Sequence, residues 1–138
     1  MIDLSVARML HLDYEFQLEK AIQTRKISRV TGSKIHVSHH QCELGIWLDR
    51  FGQARYSHFP EMEPLIAHHK DFHLYAEKAM RAIKLMEDEQ AGAAYQRVRN
   101  ESKELIYLMT LMEYRLLHEK DIGQLIKKPF RLLTGLFR

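Results

Sequence analysis

Several histidines and the only cysteine of this chain stand at spacings that suit metal binding. His69 and His73 are four residues apart, so on a helix their side chains lie one above the other. His11 occupies a position in an apolar helical repeat, between Ala7 and Tyr14. Burying an imidazole costs free energy unless its ring nitrogens find partners. One such histidine is usually a structural core residue, but three at core-facing positions indicate a set of metal ligands.

The cysteine stands at the head of "QCELGIWLDRFG", residues 41–52, which also contains the only tryptophan, Trp47. A thiolate near a helix N-terminus gains from the dipole and the free amides, which lower its pKa. Three imidazoles and one thiolate form a tetrahedral set suited to Zn²⁺. A lone cysteine is more often a small buried hydrophobic residue, but that interpretation leaves the three histidines unexplained. The predicted cofactor is therefore Zn²⁺, with the ligands His11, Cys42, His69 and His73.

The other histidines are expected to lie outside this site. His68 is rotated by about 100° from His69 on a helix, so it should face the solvent. The remaining ones fall in loops or near the end of the last long helix: His36, His39, His40, His58 and His118. Most of these are expected to be exposed, and those in the loop of residues 28–41 should hold metal only adventitiously.

Three long helices are predicted to position the ligands. The first carries core-facing residues at alternating spacings of three and four, namely Leu4, Ala7, His11, Tyr14, Leu18 and Ala21. The second begins near Pro60 and Pro64 and runs to about Asp88. Its stripe is Leu65, Ile66, His69, Phe72, His73, Ala76, Met80 and Ile83. After a turn near Gly92, the third helix carries Ala94, Val98, Leu105, Met109, Met112 and Leu116.

A short helix is predicted to carry the cysteine, over residues 42–51, with Gly52 as its C-terminal stop. Ile46, Trp47 and Phe51 are expected to pack it against the long helices, and Gly45 would allow close approach to a neighbour. The predicted fold class is all-α: an antiparallel four-helix bundle made of three long helices and the short extra helix that carries the cysteine ligand.

Composition narrows the class of protein. A chain of 138 residues is expected to form one bundle domain, here residues 1–120, followed by a basic amphipathic tail or linker, residues 121–138. One cysteine cannot form an internal disulfide, and the N-terminus does not resemble a signal peptide, so a cytoplasmic location is expected. No apolar run approaches the roughly 20 residues of a membrane span. The net charge is only +3, and the basic residues are interleaved with acidic ones along the chain. This pattern argues against nucleic acid as a partner, which usually requires a concentrated basic face.

The motifs "HLDY" (residues 11–14), "CELGIW" (residues 42–47) and "HKDFH" (residues 69–73) resemble those of the chemoreceptor zinc-binding (CZB) domain family of bacterial sensory proteins. The resemblance covers roughly residues 5–120. It implies zinc bound by the four residues proposed above, with Tyr14, Gly45 and Trp47 in supporting roles. It also implies a cytoplasmic homodimer that regulates chemotaxis or a diguanylate cyclase in response to zinc or oxidants.

The C-terminal stretch "RLLTGLFR", residues 131–138, resembles the segment Asp-x-Leu-Thr-Gly-Leu that opens diguanylate cyclase domains. Arg131 stands where the aspartate is expected. Since no catalytic domain is present, no enzymatic activity is predicted for these 138 residues, and the output should lie in another part of the protein or in a partner protein. The basic tail itself could make weak contact with a membrane or a partner, although Pro129 limits its length as one helix.

Two alternatives remain open from the sequence. A hemerythrin-like di-iron oxygen-binding bundle would use His11, Glu15, the pair on the second helix and the "HEKD" stretch of residues 118–121. Such a site needs more ligands than the predicted helix faces supply, and it gives Cys42 no role. A plain helical adaptor, in which the histidines merely pack, predicts no metal at all. Iron would give visible absorption, whereas a d¹⁰ zinc protein is colourless.

Overall fold

The computed structural model describes residues 3–29, 32, 35 and 37–127, with side chains up to residue 118. Its helical elements are α1 (Leu4–Thr24), α2 (Glu43–Trp47), a π-helical turn (Leu48–Gly52), α3 (Gln53–Arg55), α4 (Met62–Lys84) and α5 (Asp88–Lys127). Within these described ranges there is no strand. The prediction of an all-α bundle, with long helices and a short helical segment at the cysteine, is confirmed.

Helix α1 forms where the sequence predicts it. The Asp3 carboxylate accepts hydrogen bonds from the amides of Ser5 and Val6, which satisfies donors that the first turn leaves free. The helix ends where Arg25 adopts a left-handed conformation with φ 56°. All six residues of the predicted stripe are buried: Leu4, Ala7, His11, Tyr14, Leu18 and Ala21.

The chain turns between α4 and α5 earlier than predicted. Asp88 begins α5 instead of ending α4, and Gly92 lies inside α5, so the prediction of a turn near Gly92 is wrong. The reversal occurs at Met86, whose φ is 57°, and the amide of Glu87 donates to the carbonyl of Ala82. Asp88 then starts α5 with an acidic first turn, which the helix dipole favours.

The three long helices form two antiparallel contacts. Helices α4 and α5 pack against each other as a hairpin joined by a short turn. The direction of α1 follows from three ion pairs with α5, namely Arg8–Glu113, Glu15–Arg99 and Arg25–Asp88. Residue numbers rise along α1 as they fall along α5, so α1 runs antiparallel to α5 and parallel to α4. The connection between α1 and α4 must therefore return along the bundle, and it carries the cysteine.

The cysteine-bearing segment (residues 42–55) is longer than predicted. Gly52 does not stop the helix, because it has helical dihedrals and the chain continues into α3. A Cβ at Gly52 would lie 2.8 Å from Cζ3 of Trp47, so the glycine makes room for the indole ring. Trp47 is buried as predicted, but Ile46 and Phe51 are exposed. Leu44 and Leu48 fill the core instead, and the wider π-helical turn changes which later residues face inward.

The part of the chain assigned to the tail is only partly described. Helix α5 continues through residue 120 to Lys127, so the proposed boundary at 120/121 falls within a helix and remains a prediction. Pro129 and the Leu-Thr-Gly-Leu stretch lie outside the described residues. Among the helices described, none is long and apolar enough to cross a membrane.

Candidate metal centre

The structure brings together the four residues that the sequence predicts as ligands. His11 comes from α1, Cys42 precedes α2 as its N-cap, and His69 and His73 lie one turn apart on α4. One donor atom from each lies within 4.8 Å of the others. Their relative exposures are 0%, 2%, 1% and 6% in chain order, so the set is enclosed by protein.

Two distances within the set suit a tetrahedral zinc ion. His69 Nε2 lies 3.1 Å from His73 Nε2, and Cys42 Sγ lies 3.7 Å from His11 Nε2. With Zn–N of about 2.05 Å and Zn–S of about 2.3 Å, tetrahedral geometry requires about 3.3 Å between two nitrogens and about 3.6 Å between sulfur and nitrogen. The donor chemistry and these two separations therefore fit Zn²⁺.

Burial keeps the three imidazoles neutral. It lowers the pKa of His11 to about 4, of His69 to about 2 and of His73 to about 3. The neighbouring imidazoles act in the same direction on His69 and His73, because charging one ring disfavours charging the next. At neutral pH each ring therefore keeps a nitrogen lone pair, which metal binding requires.

The pKa of the free Cys42 thiol differs from the prediction. The helix N-terminus was expected to lower it, but burial dominates and raises it. The amides of Leu44 and Gly45 and the Tyr14 hydroxyl act in the opposite direction without reversing this effect. In the absence of metal the group is a protonated thiol at neutral pH, so a metal ion must displace its proton to bind sulfur.

Neighbouring groups orient the imidazoles. His11 Nδ1 lies 2.8 Å from the carbonyl oxygen of Ala7, so it donates there and leaves Nε2 free to face Cys42. The ring of Phe72 packs edge-on against His11, with centroids 5.1 Å apart. His73 Nδ1 points towards the backbone of Val37 but makes no close hydrogen bond. The role of Phe72 was not predicted, although it lies on the stripe that the sequence identifies.

Of the three residues predicted to support the site, Tyr14 and Gly45 lie against its histidines. Tyr14 packs edge-on against His11 at 5.5 Å and His73 at 5.8 Å between centroids, and its hydroxyl hydrogen-bonds with Cys42. A Cβ on Gly45 would fall 1.5 Å from the carbonyl oxygen of His39 and 3.2 Å from Cε1 of His69, so close approach is confirmed. Trp47 stacks on Tyr56 at 5.9 Å and anchors the cysteine-bearing segment.

The other histidines that the structure describes lie outside the cluster. His68 is half-buried instead of exposed, because its Nδ1 pairs with a carboxylate oxygen of Glu101 on α5 at 2.5 Å. As expected, three are exposed, namely His40, His58 and His118. His39 is half-buried beside the site, and His36 lies outside the described residues.

No observation supports the di-iron alternative. Glu15 pairs with Arg99, and His118 stacks on Tyr114 at the exposed end of α5. Within the part of the chain that the structure describes, the three-histidine, one-cysteine set is the one cluster with metal-ligand geometry, and it contains no carboxylate.

An all-α bundle with a buried donor set of three imidazoles and one thiol defines a zinc-binding helical domain. The sequence model of the chemoreceptor zinc-binding domain family matches residues 11–80, slightly more than half of the chain, and this range contains all four clustered residues. The chain belongs to this family, which makes it a regulatory sensing domain with zinc as its cofactor. Comparison with curated proteins and with solved structures gave no match.

Proposed function

We propose that this chain is a cytoplasmic sensory domain of bacterial signalling in which His11, Cys42, His69 and His73 bind one Zn²⁺. Its input is zinc availability or oxidation of the zinc-bound cysteine. Its output is chemotaxis or cyclic-di-GMP synthesis, controlled in the same protein or in a partner protein. The observation that carries this proposal is the position of the cysteine, which joins a short segment to two long helices through the donor set.

The elements that hold the ligands differ in how firmly they are anchored. His11 lies in the middle of α1, and the α4 pair lies within a helix packed along α5. Cys42 instead precedes the five-residue helix α2, whose side-chain anchors are Leu44 and Trp47. Losing the sulfur ligand therefore releases the cysteine-bearing segment first. That local displacement is the structural change available to an output element.

Zinc is not required to build the bundle. Leu18, Leu65, Phe72, Leu105 and Met109 are fully buried without contributing a donor atom. The metal should therefore add less than the roughly 10–16 kcal/mol it contributes to zinc-finger peptides, which are unfolded without it. The metal-free protein should stay helical by circular dichroism after chelation, as reversible sensing requires.

Cys42→Ala is expected to leave the bundle folded and to remove the response to oxidant. Wild-type protein purified without chelator should contain one zinc per chain, and hydrogen peroxide should release it, because oxidation removes the thiolate. The variant loses a ligand, so it should bind zinc at least about a hundredfold more weakly, and peroxide should not change its remaining affinity. Metal analysis with a chromogenic chelator measures both quantities. Wild-type protein with well under one zinc per chain would refute the proposed function.

We also propose that two copies associate through the outer face of α1. Val6, Met9, Leu12 and Phe16 are exposed on the side opposite the buried stripe, and Met9 is 69% exposed. A helix that is apolar on both sides needs a second partner to cover its outer face. Met9 and Phe16 lie on either side of the middle of this exposed face. If two copies pair in antiparallel orientation, Met9 of each copy packs against Phe16 of the other, at both ends of the contact.

The double substitution Met9→Glu with Phe16→Glu should convert a dimer into a monomer, because it places charges within the buried contact. Light scattering coupled to gel filtration measures the mass directly. Leu85→Glu is the matched control, since Leu85 is also exposed but lies in the turn after α4. A wild-type protein that is monomeric at high concentration, or a double variant that stays dimeric, would contradict the proposed interface.

The division of the chain remains part of the proposal. We assign residues 1–120 to the zinc-binding bundle and residues 121–138 to a basic tail or linker. The tail contains Lys127, Lys128, Arg131 and Arg138, with no acid after Asp121. This composition suits a segment that leads to an output domain or makes weak contact with an acidic partner or membrane surface. We expect no nucleic-acid binding.

A further inference from the structure

A cavity of about 550 Å³ opens beside the metal centre. Its polar lining consists of Ser38, His39, Gln41, Lys70, His73 and Glu77. His73 is the one member of the clustered donor set in this lining, and it is also the most exposed member of the set. The cavity is therefore a route between solvent and the buried ligands, and it reaches them at His73.

His39 lines this route, and the ring of the neighbouring His40 packs against its ring. Their ring centroids are 4.0 Å apart, and the His39 ring lies 6.4 Å from that of His69. His40 Nδ1 lies 2.8 Å from Asp49 Oδ2. A carboxylate that accepts from one ring nitrogen fixes the tautomer and leaves the other nitrogen free for a cation. The His40 side chain is 65% exposed, so an incoming ion can reach that free nitrogen.

Entry of zinc into the buried set is a physical problem that this pair can solve. A hydrated cation must lose its waters before it reaches ligands that are at most 6% exposed. Lys70 and Glu77 bring opposite charges to the cavity, so its lining offers little net attraction for a cation. Imidazoles near the cavity can replace the first waters with nitrogen ligands. The ion then loses its hydration shell in stages, and each stage costs less free energy than losing all the waters at once.

We propose that His39 and His40, oriented by Asp49, form a transient capture site that passes divalent zinc to the buried ligands. This inference depends on the proposed zinc set of His11, Cys42, His69 and His73. A site on the path of entry is also on the path of exit. Removing it must therefore slow association and dissociation by the same factor and leave the equilibrium affinity unchanged, because both end states stay the same.

The test is the double substitution His39→Gln with His40→Gln, which retains the backbone carbonyl of His39 that contacts Gly45. Metal-free protein is mixed with zinc chloride in a stopped-flow instrument, and loaded protein is challenged with excess EDTA. Both rate constants should fall by about tenfold, the lower end of the effect of outer-shell metal partners. Asp49→Asn should slow both less, since it leaves the two imidazoles in place.

The matched control is His58→Gln with His118→Gln, which also removes two histidines outside the donor set, neither of which lines the cavity. It should exchange zinc at the wild-type rates. Wild-type rates in the His39/His40 variant would overturn the capture site. Weaker equilibrium affinity with unchanged association would also overturn it, because the pair would then belong to the final site. A wild-type protein that binds no zinc at equilibrium would instead refute the proposed function, so the two failures are distinguishable.

Discussion

His69→Gln should remove high-affinity zinc binding, whereas His68→Gln, one position earlier on the same helix, should retain it. His69 is 1% exposed, and its Nε2 faces that of His73 at 3.1 Å. Glutamine is shorter and offers an amide, which is a poorer zinc ligand than imidazole. Loss of an outer-shell partner already costs roughly 10–100-fold in affinity, so loss of the ligand itself should exceed about a hundredfold.

His68 is a demanding control because it shares the residue type, the helix and the chain neighbourhood of His69. Its ring turns towards α5 and pairs with Glu101, so it contributes no donor atom to the cluster. Replacing it removes a half-buried contact between helices and should lower stability without changing zinc affinity by more than a few-fold. Competition with a chelator of known affinity measures both variants on one scale. Equal losses in the two variants would show that general destabilisation, not ligation, controls zinc binding.

The sequence predicts well which side chains come together, because the helical repeat fixes which residues face the core. The stripe of α1 places His11 inside, and the four-residue spacing of His69 and His73 places both on one face. Helix periodicity is a local property of the sequence, so it can be recognised without knowing the tertiary fold. The family motifs then connect these histidines with Cys42, which lies 31 residues from His11.

Features that depend on long-range packing were predicted less well. The pKa of Cys42 is raised because the finished bundle buries the thiol, and this effect exceeds that of the local amides. Gly52 looked like a helix stop, but it lies within the helical segment, and the ring of Trp47 occupies the space of its missing side chain. His68 was expected to face solvent, yet a carboxylate on α5 partly covers it. In each case the deciding neighbour is distant or depends on how the segment packs.

Gly45→Ala should disrupt the metal centre although glycine supplies no ligand. Its added Cβ would lie 1.5 Å from the carbonyl oxygen of His39, and a backbone atom cannot move away as a flexible side chain can. Either α2 or the preceding loop must shift by more than an ångström. Cys42 lies directly between these two elements, and metal–ligand distances tolerate only about ±0.2 Å. We therefore expect zinc affinity to fall at least about a hundredfold, more than for the loss of an outer-shell partner.

The matched substitution Gly92→Ala should have the opposite effect on stability. Gly92 is exposed in α5, and a Cβ added there meets nothing within 4 Å. Alanine should therefore stabilise the metal-free protein by about 0.5–1 kcal/mol through its helix preference. The same helix preference favours alanine at position 45, but the steric overlap of its Cβ should outweigh it. Gly45→Ala should therefore lower the stability of the metal-free protein by about 1–3 kcal/mol.

Urea unfolding of the metal-free proteins and chelator competition separate these effects. If Gly45→Ala folds with wild-type stability and affinity, then α2 is not held in backbone contact with the loop, and the cysteine is positioned by other means. If it loses zinc while remaining folded, the contact itself places the sulfur. The close approach of Gly45 to the His39 carbonyl would then be what keeps Cys42 within reach of the histidines.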